Sequence, residues 1–178
     1  MKTLTLSIIA IMTAAWLTGC ASPAQPQAMI PTQFSVAHRN PEKVSITVAG
    51  GRETSATGPS QISNSDFREA LKQAIINSGL FAEVVDTNTG RYRLDAFIGM
   101  LSQPMLGASM TVSMEVSYNL IDLKENKSIW QQSISSHYTA AWDAAFAGVT
   151  RLRLANEGAA RDNIDRAITE MGKLQLNQ

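Results

Sequence analysis

The sequence predicts an α+β fold, a two-layer sandwich in which two helices pack on one face of a mainly antiparallel sheet of four or five strands. Several segments carry an apolar residue at every second position, which is typical of strands with one buried and one solvated face. Two longer segments repeat apolar residues with the 3.6-residue period of an amphipathic helix. The order β-α-β-β-β-β-α along the chain favours helices that cover one face of the sheet.

The first half of the chain predicts one strand, one loop and one helix. Residues 44–48 alternate apolar and hydroxyl side chains, which indicates a half-buried strand. Residues 52–62 are polar and contain a Gly-Pro pair, so we expect a long mobile loop. Ser65 or Asp66 is the predicted N-cap of the helix that follows, with Glu69 in capping-box register with Asp66, and Gly79 suits the position just after its end. Its apolar stripe consists of Phe67, Leu71, Ala74 and Ile75.

The second half predicts four more strands and a closing helix. Residues 80–85 favour a short strand. Every second residue is apolar in 92–100 and again in 110–120, and a weaker alternation over 130–138 predicts the return strand of a meander. A helical stripe of apolar residues over 152–171 predicts the last element, and neither a repeat nor a second domain is indicated.

The N-terminus indicates a secretory signal peptide over residues 1–19. Lys2 provides a short positive region, and residues 4–17 form an apolar stretch that is too short and interrupted to span a bilayer. The only cysteine, Cys20, closes the run Leu-Thr-Gly-Cys, which resembles the lipobox of bacterial lipoproteins. In that family the cysteine is acylated and becomes the first residue of the mature protein. The alternative is an ordinary signal peptide followed by a coincidental cysteine.

This resemblance implies a domain organisation and a location. Residues 20–33 would hold the lipidated Cys20 and a tether rich in Pro, Gln and Ala, and residues 34–178 a single periplasmic domain. Ala21 replaces the Asp that marks lipoproteins retained in the inner membrane, which implies the periplasmic face of the outer membrane. An acylated Cys20 leaves no cysteine for a disulfide or a thiolate metal site.

Charge narrows the range of partners. Lys+Arg and Asp+Glu both number 15, and no basic stripe or arm occurs, so the sequence gives no support to nucleic-acid binding. The same balance argues against an electrostatic grip on anionic lipid. We therefore expect attachment to the membrane through the acyl chains of Cys20.

The element order also resembles that of small envelope lipoproteins and related domains. The residues that carry the resemblance are Ser-Asp-Phe-Arg at 65–68 and Ser-Gly-Leu-Phe at 78–81, followed by the long meander. They are similar to the N-terminal domains of TolB-type and curli-secretion-type proteins and to the accessory lipoprotein of lipopolysaccharide assembly. The resemblance covers residues 44–174 and implies a non-catalytic role in the envelope.

No residue pattern predicts an enzyme. His38 and His137 belong to no zinc motif, and neither a Gly-x-Ser-x-Gly elbow nor a phosphate-binding loop occurs. Asp95 and Glu115 could face each other like the carboxylates of a glycosidase, but solvated carboxylates on a sheet face are commoner. We expect no catalytic residue, no metal and no cofactor.

A cluster of methionines offers a second, weaker possibility of chemistry. Met100, Met105, Met110 and Met114 lie close together in the sequence, and thioethers bind Cu(I). Met100, Met110 and Met114, however, share the alternating apolar face, where methionine is an adaptable core residue. We favour the core interpretation.

Two loops carry the candidate partner-binding residues. Met105 and Leu106 lie between two predicted strands, and Trp142 and Phe146 stand among small residues before the last helix. Exposed aromatic residues are typical of interface hot spots. For Trp142 and Phe146 we favour the interpretation that they cover the end of the sandwich, with partner binding as the alternative. An open sheet edge is a further place where a partner strand could bind.

These observations predict a non-enzymatic, lipid-anchored envelope protein that binds a protein partner in outer-membrane assembly, secretion or transport. One alternative is a periplasmic carrier that holds a lipid or glycan fragment between sheet and helices; another is an unrecognised envelope enzyme. A methionine-lined cavity of about 300 Å³ or more would favour the carrier. A filled core with an apolar outer patch would favour the partner-binding protein.

Overall fold

A computed structural model of the chain describes residues 21–86 and 89–176. Within these residues, a short 3-10 helix precedes five strands and two α-helices, and the predicted order and fold class are confirmed. The elements are the 3-10 helix Pro26–Met29, β1 Asn40–Ala49, α1 Asn64–Ser78, β2 Phe81–Val85, β3 Tyr92–Ser102, β4 Met110–Asp122, β5 Lys127–Ala140 and α2 Gly148–Met171.

The five strands form one mixed sheet in the order β2-β1-β3-β4-β5. Strands β3, β4 and β5 are the predicted antiparallel meander. Strand β1 is parallel to both of its neighbours. Strand β2 pairs with the first half of β1, and β3 pairs with its second half. Gly90, just before β3, passes β1 so closely that a Cβ there would lie 2.7 Å from the carbonyl oxygen of Lys43. Two parallel pairings therefore accompany the predicted antiparallel ones.

Both helices pack on the same face of this sheet, and the core lies between the two layers. Along β4, the even-numbered residues are buried and the odd-numbered ones stand on the opposite face, which we call the open face. Helix α1 ends at the predicted Gly79, whereas its N-cap is Ser63 and not the predicted Ser65 or Asp66. The Ser63 hydroxyl accepts a hydrogen bond from the backbone N–H of Asp66, and Gly79 ends the helix in the left-handed conformation at φ 64°.

Helix α2 lies directly against β5 because Gly158 permits a close approach. A Cβ at Gly158 would lie 2.2 Å from the ring of Tyr138. Deeper in the same layer, the buried Tyr118 hydroxyl donates to Asn163 Oδ1 at 2.9 Å, and Asn163 Nδ2 donates to the carbonyl of Ile134 at 2.7 Å. Burial raises the pKa of Tyr118, so the hydroxyl stays protonated and keeps this bond.

The N-terminal segment differs from the prediction of a tether that extends to residue 33. Ala24 and Met29 are buried, and the 3-10 helix packs against both α1 and α2. The backbone N–H of Ala24 donates to the carbonyl of Gln61, and Arg161 Nη1 donates to the carbonyl of Ala28 at 2.9 Å. The packed body therefore begins at Ala24 rather than at Phe34. The proline-rich composition of the N-terminal segment does not indicate this packing, because Ala24 and Met29 are buried against helices that are distant in the sequence.

Cys20 and the predicted signal peptide over residues 1–19 lie outside the described residues. Among the helices that the structure does describe, none combines the length and the apolar composition needed to cross a membrane.

Candidate functional site

Three connections meet at the end of the sandwich where β1, β3 and β5 end and β4 begins. They are residues 50–63, 103–109 and 141–147, and we call this the loop end. The four predicted partner-binding residues lie in two of these connections, which are neighbours because Met110 pairs with Ala140. The sheet topology therefore brings together two residue pairs that are far apart in the sequence.

All four of these side chains are strongly exposed. The exposed fractions are 96% for Met105, 90% for Leu106, 69% for Trp142 and 104% for Phe146. Trp142 and Phe146 line an open groove of about 520 Å³ together with Ala108 and Arg151. The favoured interpretation, that the two aromatic residues cover the end of the sandwich, is therefore wrong, because their side chains stand in solvent rather than on the core.

The loops that carry these residues are held from within. Gln103 Nε2 donates to the carbonyl of Ser60 at 2.7 Å and to Asn156 Oδ1 at 2.8 Å, and Asn156 Nδ2 donates to the same carbonyl at 2.9 Å. Asn156 is fully buried. Gln61 Nε2 donates to Gln103 Oε1 at 3.2 Å. A buried network whose members satisfy one another is a strong constraint, so it fixes two of the loops relative to α2.

The third loop is fixed by Arg151, in the first turns of α2. Its Nη1 donates to the carbonyl oxygens of Ala145 and Phe146 at 2.6 and 3.0 Å. The backbone that presents Phe146 is thus braced, although its side chain is free. The loop is therefore ordered, and its apolar side chains are exposed in this ordered conformation.

The loop predicted to be mobile, residues 52–62, is instead held in place by hydrogen bonds. Gly51 N–H donates to Asn64 Oδ1 at 2.7 Å, and the backbone N–H of Arg52 donates to the carbonyl of Ile62 at 2.9 Å. Ser60 and Ile62 are buried. The polar composition of this loop predicted mobility, but its polar groups form hydrogen bonds within the folded domain.

The opposite end of the sandwich, which we call the turn end, is polar. It comprises residues 89–91 and 123–126 and centres on the buried Asp122. Arg91 Nε donates to Asp122 Oδ2 at 3.1 Å, while the backbone N–H groups of Lys124 and Glu125 donate to Oδ1 at 2.9 and 3.1 Å. Burial alone would raise the pKa of Asp122, but these hydrogen bonds outweigh it and lower the pKa below its usual range.

The carboxylates that could have formed a catalytic pair are separated. Asp95 pairs with Asn119 in the sheet, whereas Glu115 lies four residues earlier on β4 and pairs with Met100. At about 3.4 Å per residue along the strands, their backbones are roughly 14 Å apart. Asp95 accepts hydrogen bonds from Thr47 Oγ1 and Arg93 Nε, and Glu115 accepts one from Ser135. Each carboxylate therefore has its own partners on the open face.

The described residues hold no group of three or more His, Cys, Asp or Glu side chains that could bind a metal ion. His38 lies before β1 and His137 near the end of β5, at opposite ends of the sandwich.

The methionines divide between the core and the surface. Met110 and Met114 are buried in the hydrophobic core, as predicted. Met100 was expected on the same face but is 48% exposed, because the pairing of β3 with β4 shifts between Ile98 and Met100 and turns its side chain outward. With Met105 in solvent, the four thioethers do not converge, which removes the basis for a copper site. The same packing leaves Met110 and Met114 as filling of the core rather than as the lining of a carrier cavity.

The open face and its edge strand were largely missed by sequence reasoning. Hydroxyl groups pair across β4 and β5, with Thr111 and Thr139 at 2.9 Å and Ser117 and Ser133 at 2.7 Å. Beside them, an open groove of about 510 Å³ includes Phe97, which is 54% exposed. The signal in the sequence was the run of Ser and Thr at the odd positions of β4 and β5, which only the register shows to be one surface.

No protein-family model and no curated protein sequence matches the chain. Solved structures do resemble it. A Xanthomonas campestris protein of the DUF330 family superposes with a TM-score of 0.58 at 9% identity, over 86% of this chain and 97% of the other. A candidate lipoprotein from Caulobacter crescentus gives a TM-score of 0.51 at 14% identity, over 72% and 87%. PelC from Paraburkholderia phytofirmans, solved as a dodecamer, gives 0.51 at 14% identity, over 78% and 93%.

These proteins share the fold of this chain, which is thus a fold found in bacterial proteins described as lipoproteins. The finer resemblance to TolB-type, curli-secretion-type and lipopolysaccharide-assembly proteins stays a prediction.

Proposed function

We propose that this protein is a lipid-anchored protein of the bacterial outer membrane that acts by binding a protein partner rather than by catalysis. The run that ends at Cys20 supports the anchor, and the fold shared with proteins described as lipoproteins is consistent with it. Acyl chains on Cys20 would hold the body at the periplasmic face. The scattered carboxylates and histidines of the described residues favour binding over chemistry.

The observation that carries the proposal of a protein partner is the edge strand β5. It has 14 residues, contains no proline, and carries a single lysine, Lys127, at its first position. In the described part of the chain it pairs with β4 alone, so its other side has no strand partner, although the carbonyl of Ile134 accepts a hydrogen bond from Asn163 Nδ2. Natural proteins usually blunt such an edge with charge, proline, a β-bulge or brevity; the one register shift in the pairing of β5 lies between Ser128 and Trp130, and the pairing is regular over residues 130–140.

The other edge of the sheet shows those defences. Strand β2 has only five residues, and Glu83 forms an exposed ion pair with Lys43 at 2.6 Å. The two edges of the sheet therefore differ: β2 is protected by its short length and its charges, whereas the long edge of β5 is not, and this difference suits β5 to bind a partner strand. Addition of a partner strand would use its backbone for affinity and the exposed Ser133, Ser135 and His137 for specificity.

A second copy of this chain is one possible donor of that strand. PelC, which has the same fold, was solved as a dodecamer. The test below therefore separates self-association from binding of a different protein.

The experiment is photo-crosslinking of the full-length protein in living cells, with a photoreactive residue in place of Ser135. A probe in place of Glu83 on β2 serves as the matched control. A protein adduct from position 135 and none from position 83 supports the proposal. The mass of the adduct shows whether the partner is a second copy. Absence of any protein adduct along β5 contradicts it.

A variant pair then tests the edge itself. Ser133→Lys combined with Ser135→Lys places two charges on β5 and should abolish the adduct, detected with the probe moved to His137. Thr111→Lys, an exposed position on the interior strand β4, should leave it intact. Circular dichroism of each variant checks that the sheet is retained.

A further inference from the structure

The four side chains of the loop end are the most exposed large apolar side chains among the residues that the structure describes. Met105 and Leu106 belong to a stretch, residues 96–114, that contains no charged residue. The neighbouring loop of Trp142 and Phe146 contains one, Asp143. Large apolar groups exposed in such a cluster mark a surface that is covered in the working protein.

The path of the N-terminal segment identifies what covers it. Ala24 is buried at the loop end, where its N–H donates to the carbonyl of Gln61 at 3.1 Å. Gln25 N–H donates to Glu157 Oε1 at 2.9 Å, and Gln61 in turn bonds to Gln103, two residues before Met105. From Ala24 the segment runs along the helices to the turn end, where β1 begins. The chain therefore enters the body at the loop end.

Chain length then limits how far the anchor can be from this surface. Cys20 precedes Ala24 by four residues, and an extended chain covers at most about 3.6 Å per residue. The anchor position is thus within roughly 14 Å of Ala24. A protein held in a leaflet at Cys20 has its loop end, and not its turn end, next to the lipid.

The chemistry of the two ends agrees with this orientation. Tryptophan is favoured at the boundary between lipid and water, and Met, Leu and Phe gain by burial among acyl chains. The turn end instead carries Arg91, Lys124, Glu125 and Lys127, whose charges favour water.

We propose that the loop end is a membrane-docking surface, with Met105, Leu106, Trp142 and Phe146 inserted into the leaflet that holds the acyl chains of Cys20. This inference rests on the acylation of Cys20 proposed above. The four residues would act as a second attachment that fixes the tilt of the body, with the turn end pointing away from the membrane. A protein that binds these residues would have to displace lipid already beside them.

The test uses tryptophan fluorescence of the native acylated protein in vesicles of phosphatidylethanolamine and phosphatidylglycerol. Part of the lipid is replaced by dibrominated phosphatidylcholine, which quenches tryptophan on contact. Trp16 lies in the predicted signal peptide, so Trp130 and Trp142 are the tryptophans of the mature chain. The Trp130→Phe variant reports on the loop end through Trp142. The matched Trp142→Phe variant reports on the turn-end half of β5 through Trp130.

The expected result is a large loss of Trp142 emission in brominated vesicles and little change in Trp130 emission. Vesicle-bound protein in which neither tryptophan is quenched overturns the docking surface but leaves the anchor in place. If, in addition, a photoreactive residue in place of Leu106 captures a protein in cells, the loop end is a protein interface instead. An intact mass without acyl chains on Cys20 overturns the anchor and, with it, this inference.

Discussion

The loop end and the turn end of this sandwich are both ordered, but by opposite means. At the loop end, a buried amide network around Asn156 holds the backbone, and the large apolar side chains stand outside in water. At the turn end, the buried carboxylate of Asp122 gathers hydrogen bonds, and the outer side chains are charged. Side chains that face water at the loop end therefore contribute little to stability, which leaves them available for function. The comparison can be tested by removing one component at a time.

The largest effect is expected from the brace of the loop end. Asn156→Ala removes one donor and one acceptor and leaves the carbonyl of Ser60 and the amide of Gln103 with fewer partners. We expect a loss of about 3 kcal/mol in the free energy of unfolding, since each unsatisfied buried group costs about 1–3 kcal/mol. Urea unfolding followed by tryptophan fluorescence measures it. The matched control Asn77→Ala, at an exposed position of α1, should stay within about 0.5 kcal/mol of the parent protein, and a similarly small value for Asn156→Ala would show that the network is not a brace.

A somewhat smaller loss is expected at the turn end. Asp122→Ala removes the acceptor of the hydrogen bonds from Arg91, Lys124 and Glu125. We expect a loss of about 2 kcal/mol, because the turn backbone regains hydrogen bonds with water. The same urea titration measures it. A variant as stable as the parent would contradict the role of Asp122 in holding this end.

The turn end should also lose stability in acid. The pKa of Asp122 is lowered in the folded protein, so its ionised form stabilises the fold above the unfolded value of about 3.9 and this contribution is lost as the pH falls below that value. Asp122→Asn should therefore be less stable than the parent at pH 7, and the gap should narrow toward pH 2. Unfolding curves at several pH values test this. A gap that stays constant or widens toward acid would contradict it.

The smallest effect on stability is expected from the exposed residues of the loop end. Trp142→Ala combined with Phe146→Ala should change the free energy of unfolding by no more than about 0.5 kcal/mol, because neither side chain covers the core. Unfolding is followed through Trp130, which both proteins retain. A loss of about 2 kcal/mol or more would mean that these side chains hold the end of the sandwich after all.

Local patterns predicted the elements well where one face of an element meets the core and the other meets water. The alternation along β4 and the C-cap of α1 at Gly79 are examples. Such patterns failed where a register shift at a single position changes the alternation of side chains along a strand. The register shift before Met100 places its side chain on the opposite face of the sheet, and the apolar periodicity of β3 does not predict this shift.

The candidate site was predicted only in parts. The sequence indicated Met105, Leu106, Trp142 and Phe146 as candidate partner-binding residues, but it did not predict that the two pairs lie in neighbouring loops. The edge strand β5 was foreseen as a strand and not as the exposed edge, since strand order is a property of pairing between distant segments.

By itself, the sequence determined the class of fold, the order of elements, the resemblance around Cys20 to a lipid attachment site and the absence of any recognisable catalytic motif. These follow from composition, short motifs and periodicity, which act over neighbouring residues. Only the tertiary structure decided that Ala24 and Met29 are buried, that β1 runs parallel to both neighbours, and that the N-terminal segment enters the body beside the exposed apolar loops. Each of these depends on which distant surfaces pack together. That choice is made by the burial of the whole core rather than by any one segment.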